Sequence, residues 1–227
     1  MSQQASPTNS DSVALTYFND YQARTVEAIA ERIIPANGAD AGATEAGVVY
    51  YIDRTITGFS AGLQRVYRLG LRELETFCDR EHSAQFVDLT EEQQDNILRR
   101  FLGSETGGGK VERPAGLVQP ATENADPAQA GSGNKGGADL DLLQFFFAVI
   151  REHTVEGYFC DPIYGGNRGA VGWRLVGFPG TQWGYTAEQM KPGFDATVIP
   201  IKTLSDLRRE LKNLPDNKRY YDANEGK

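Results

Sequence analysis

The chain has 227 residues, 40% of them hydrophobic, and a formal net charge of −8. That length and apolar content suffice for one domain with a substantial core, while the acidic balance argues against nucleic acid or an anionic membrane as the main partner, since both select a basic face. No apolar run reaches roughly 18 residues, so no spanning helix and no direct membrane anchor are expected.

Residues 1–16 are polar and acidic, with few aromatics, and read as a disordered tail. They show no basic stretch followed by an apolar core, so they do not read as a secretory or twin-arginine leader. The fold is expected to begin with a helix in which Phe18, Tyr21, Gln22, Thr25, Val26, Ile29 and Ile33 recur at helical spacing, ended by Pro35 and Asn37-Gly38. Thr44 is the expected cap of a second helix, which carries Val48, Val49, Ile52 and Ile56 inward and stops near Gly58. A third, from Leu63 to about His82, has the amphipathic stripe Val66, Tyr67, Leu71, Leu74, Phe77 and Cys78. Thr90 and Gln93 form a capping box opening a fourth helix through Ile97, Leu98, Phe101 and Leu102, closed by Gly103.

Composition then shifts. Residues 104–138 carry three glycine clusters and three prolines but few large apolar side chains, and read as a flexible insertion. From about Asp139 the pattern Leu142, Leu143, Phe146, Phe147, Ile150 resumes, reaching Thr154 or Tyr158. Phe145-Phe146-Phe147 is apolar on more than one face, which predicts a central helix contacted on most sides. After Gly180 come Trp183, Tyr185 and Phe194 in a polar, proline-containing stretch, then a short helix with Leu207 and Leu211, capped by Ser205. The expected architecture is mainly α: a single domain of about five helices over residues 17–200, followed by a C-terminal helix and tail at 201–227.

Between them lies the most informative segment, residues 161–180, with six glycines, two prolines and two arginines in a non-periodic run. It reads as a shaped irregular loop, of the kind that is more often functional than not. The stretch Gly165-Gly166-Asn167-Arg168-Gly169-Ala170-Val171-Gly172 follows a helix rather than an apolar strand, which argues against a dinucleotide loop. No serine lies in a nucleophile elbow and no His, Cys, Asp or Glu cluster has metal spacing. Cys78 and Cys160 match no metal motif; two free thiols and a disulfide both remain open. His153 is expected to be a structural hydrogen-bonder and His82 a solvated helix-end residue.

Asp161-Pro162-Ile163-Tyr164-Gly165-Gly166-Asn167-Arg168, upstream of Gly172-Trp173 and Gly177-Phe178-Pro179-Gly180, resembles the signature of the gluconate 2-dehydrogenase subunit 3 family. Arg32-Ile33-Ile34-Pro35, Gly42-Ala43, Gly47-Val48, Tyr51-Ile52-Asp53 and His153 through Phe159 look like the same family, and the likeness spans about residues 20–183. The resemblance implies a non-catalytic small subunit that binds a flavoprotein dehydrogenase of the glucose-methanol-choline type, possibly with a cytochrome subunit. It would support folding, stability, maturation or export of that catalytic subunit. FAD would belong to the partner and no cofactor to this chain. Many relatives carry a twin-arginine leader, so the implied location is the periplasm or cell envelope by export with a partner, with the cytoplasm as the alternative.

Trp, Tyr and Arg dominate interface hot spots. Tyr164, Asn167, Arg168, Arg174 and Trp183 are therefore the expected partner-binding residues, and Asp161, Gly165, Gly166, Trp173 and Phe178 the structural ones, with Asp161 a candidate mate for Arg168. The competing readings are a stand-alone enzyme using His153, Asp161 and Arg168, and a ligand-binding module at the same loop.

Overall fold

The computed structural model describes residues 14–102 and 135–214. Seven α-helices are present among them: α1 (Asp20–Ile33), α2 (Val48–Thr57), α3 (Gln64–His82), α4 (Glu91–Leu102), α5 (Lys135–Phe159), α6 (Val171–Leu175) and α7 (Leu204–Lys212). Strands are absent from the described residues, where only two isolated bridges pair Asn37 with Asp40 and Gly180 with Lys202. The class is mainly α, as expected. The insertion expected at 104–138 and the tail expected at 1–16 lie largely outside the described residues.

Helix ends follow local capping chemistry. Asn19 opens α1 with a capping box, accepting from Gln22 N at 2.9 Å while the Gln22 side chain accepts from Asn19 N. Thr90 and Gln93 do the same for α4. Two expected caps are corrected. Gly47, not Thr44, precedes α2, and its φ of +68 is a conformation that a side chain would strain. Thr203, not Ser205, caps α7, its hydroxyl accepting from Asp206 N while its own backbone N–H donates to the Asp206 carboxylate. In both cases the true cap lies outside the apolar period, so periodicity alone misplaces it.

α5 is the axis of the fold, packing against α1, α2, α3, α4 and α6. It begins at Lys135 rather than near Asp139. Phe145, Phe146 and Phe147 are all buried, and edge or stacked contacts link Phe146 to Tyr67 and Phe147 to Phe101, which in turn meets Phe77. α3 approaches so closely that a Cβ at Gly70 would stand 2.3 Å from Phe146 Cγ. Glycine is there because the ring fills the side-chain space. α4 is tied to α1 by Arg32, which reaches Asp95 at 2.7 Å and Glu91 at 2.8 Å.

The chain entering α1 is held by a buried carboxylate. Asp53, 2% exposed, accepts from the N–H groups of Thr16, Tyr17 and Phe18 and from the Thr16 hydroxyl, all between 2.7 and 2.9 Å. Burial alone would raise its pKa, but these four donors hold it below the ordinary value. Thr16, expected in the tail, is thus part of the fold. Among the described residues no helix is long and apolar enough to cross a membrane.

Candidate partner-binding site

The loop after α5 is partly helical, a correction to the irregular run expected over 161–180. It contains 3-10 turns at Pro162–Tyr164 and Arg168–Ala170, followed by α6. Glycines make this possible by close approach: a Cβ at Gly166 would fall 2.1 Å from Gly157 O and one at Gly172 2.2 Å from Tyr158 O. Both would strike the backbone of α5, so the loop can lie against the helix it has just left only with hydrogen at those positions.

Buried polar side chains then fix the path. Asp161 caps the first 3-10 turn through Ile163 N at 3.0 Å, and its other oxygen accepts from Leu204 N at 2.8 Å, at the start of α7. It does not pair with Arg168. Asn167 was expected to face a partner, but it is 0% exposed, with φ +44. Its amide donates to Cys160 O at 2.8 Å and accepts from Gly172 N at 2.8 Å, joining the end of α5 to α6. That makes it an internal strut. Trp173 is buried at 5% exposure and donates its indole N–H to Phe159 O at 2.7 Å, with Phe178 edge-on against its ring. Gly165, with φ +106, packs on the Arg54 side chain, whose guanidinium bonds Ile163 O.

Residues 181–203 return across this loop as a strap. Thr181 N donates to Lys202 O at 2.7 Å and Lys202 N to Pro179 O at 3.1 Å. Trp183 donates to Glu210, which also receives Lys202 at 2.7 Å. These ties cross the boundary expected at residue 200 and attach α7 to the domain.

What remains outside is apolar. Phe159, Trp173, Val176, Phe178, Pro179 and Ala196 line a shallow open groove of about 480 Å³. It adjoins a smaller hollow formed with Ile199 and Ile201. Val176 is 59% exposed and Phe178, expected to be partly core, 44%; Val155, one turn before Phe159 on α5, is 45% exposed. Tyr164 and Trp183 are also exposed. Arg174 is exposed too, its guanidinium bonded to Gly169 O, and it lines a polar hollow with Asp40 and Tyr158. Arg168 is half-buried, with its guanidinium carbon 3.8 Å from the centre of the Tyr50 ring. Sequence reasoning did not single out Val176 and Ala196, which are neither aromatic nor charged and so carry no interface signal.

His153, Asp161 and Arg168 do not share partners. His153 is buried between α3 and α5, its Nδ1 2.9 Å from the Tyr67 hydroxyl, and burial lowers its pKa. Cys160 and Cys78 are free, and burial pushes their thiols up to about 11 and about 12, away from the reactive thiolate. Among the described residues no group of three or more His, Cys, Asp or Glu side chains could hold a metal ion.

A family model described as Gluconate 2-dehydrogenase subunit 3 matches residues 20–180, and the chain belongs to that family. No curated protein and no solved structure matches the chain.

Proposed function

We propose that this member of the gluconate 2-dehydrogenase subunit 3 family is the non-catalytic small subunit of a flavin-dependent dehydrogenase of the glucose-methanol-choline type, acting on sugars, sugar acids or glycosides. The family is named as a subunit, so membership implies a partner. The observation that carries the reading is the groove at Phe159, Val176 and Phe178, an apolar surface held on a loop whose buried Asn167 amide and Trp173 indole are spent on internal bonds. Exposed apolar surface on a rigid support is the signature of a protein-binding face.

FAD belongs to the partner in this proposal. No strand precedes the glycine-rich turn among the described residues, so the βαβ cradle of a dinucleotide is not built there. The small subunit supports folding and maturation of the catalytic subunit, and the complex works in the periplasm or cell envelope, possession of an export signal falling to one of its members. A cytochrome subunit could then accept the electrons.

Co-expression of the chain with a flavoprotein dehydrogenase of the glucose-methanol-choline type from the same genome tests the proposal. A co-eluting complex with flavin absorbance confined to the larger subunit is the expected result. Separate elution, or stoichiometric flavin in the isolated chain, would refute it.

A further inference from the structure

Arg168 is held in place more tightly than its exposure requires. Its guanidinium carbon lies over the Tyr50 ring, 3.8 Å from the ring centre, and its backbone N–H donates to Ala46 O at 2.9 Å. The side chain also crosses Gly47 so closely that a Cβ there would stand 2.6 Å from Arg168 Nε. A guanidinium over an aromatic face keeps N–H groups free to donate in its own plane. Here that edge has no hydrogen bond or ion pair among the described residues, whereas Arg32, Arg54 and Arg174 each bond a carboxylate or a carbonyl.

Glu27 feels the Arg168 charge, but no ion pair joins the two. Its carboxyl is raised above the ordinary range by burial and by Glu31, with Arg168 only partly offsetting them. We propose that Arg168, braced on Tyr50 and Gly47, is a socket for one carboxylate presented by a side chain of the dehydrogenase subunit. This rests on the partner-subunit reading above and names a contact within it.

The chemistry selects that occupant. A planar guanidinium edge matches a carboxylate through two parallel N–H···O bonds, and bracing it beforehand removes most of the entropy lost on binding. The turn on which Arg168 rests carries Glu45 and is gathered by Glu31, which accepts from Ala36 N and Thr44 N. Those carboxylates disfavour a doubly charged phosphate more than a single carboxylate. Arg168 lines none of the hollows at Phe178, Asp40 or Arg32, so a free small acid would be held at one point only. An acid carried on a docked protein has a far higher effective concentration.

Two measurements on the full chain decide it. Acetate is titrated while the arginine Nε–H signals are followed by NMR, and capture of the co-expressed dehydrogenase is compared for the unaltered chain, Arg168→Lys and Arg168→Gln, each with its melting temperature. The expected results are a saturable acetate shift at Arg168 that exceeds those at Arg68 and Arg72 and is lost in Tyr50→Leu. Dehydrogenase affinity should fall on the order of tenfold or more in both Arg168 variants, with melting unchanged. Full affinity in Arg168→Gln overturns the proposal, as does an acetate response no stronger than that of the exposed arginines. An acetate response with unaltered dehydrogenase affinity shows a free-acid site and overturns the side-chain assignment. Lower melting with unaltered capture shows a strut. If the unaltered chain fails to capture the dehydrogenase, the subunit reading itself has failed.

Discussion

Asn167→Gly is the sharpest test of how the loop is built. Asn167 sits at φ +44, where glycine rests without strain, so this substitution removes the amide and little else. It strands the buried Gly172 N–H and the part-buried Cys160 O, each bonded at 2.8 Å in the native fold. An unsatisfied buried group costs about 1–3 kcal/mol, so the pair predicts about 2–6 kcal/mol. For a domain of this size each kcal/mol lowers the melting temperature by roughly 2–4 °C; a loss of about 4 °C is the least expected. Asn167→Ala adds left-handed backbone strain of about 1–2 kcal/mol and should melt lower still. Melting followed by circular dichroism reads both. An Asn167→Gly protein that melts like the unaltered chain yet loses the dehydrogenase would refute the strut and restore the partner-facing role first expected of this residue.

Asp53→Asn should cost about 2–4 kcal/mol by thermal unfolding, because an amide cannot accept all four donors and turns its own N–H₂ toward them. The folded pKa of Asp53 is lowered, so its contribution is full above the unfolded value of about 3.9 and is lost as pH falls through the folded value; the variant should show a flatter acid limb, and an unchanged limb would count against the clamp. His153, neutral and buried, predicts that stability declines as pH drops below about 6.5, since the unfolded chain takes up a proton that the folded imidazole resists. His153→Gln should reduce that slope in denaturant titrations at pH 5 and pH 7, and an identical slope would contradict the assignment. Gly166→Ala drives a methyl into Gly157 O and should cost about 1–3 kcal/mol or more, read as lower melting with weaker dehydrogenase capture; a neutral result would show that the loop stands off α5.

The helical class was legible because the buried faces recur at 3.6 residues, as in Val26, Ile29 and Ala30 of α1 or Val66, Tyr67 and Leu74 of α3. The central position of α5 was legible from its triple phenylalanine, which leaves no polar face over that turn. Caps were harder. Gly47 and Thr203 act through backbone angle and a short side chain, neither of which marks a period. The glycine-rich run announced close approach, but not that α5 itself would be the surface approached. Asn167 was expected to face a partner because a polar residue in a loop reads as exposed, and Asp161, expected to be structural, was given Arg168 as its mate; only the structure shows that both bond main-chain groups, two to forty-three residues away. Asp53 showed only as part of the family-like Tyr51-Ile52-Asp53 segment, and nothing in that segment announces the donors it gathers.

Gel filtration of the chain co-expressed with the proposed flavoprotein dehydrogenase tests the central claim most directly, comparing the unaltered chain with a Val176→Asp, Phe178→Ser double variant while absorbance is read at the flavin band. The account predicts a stoichiometric complex for the unaltered chain and its dissociation in the double variant, with the melting temperature of the isolated subunit lowered by no more than a few degrees. A complex that survives these substitutions would show that the groove at Phe159, Val176 and Phe178 is not the docking face.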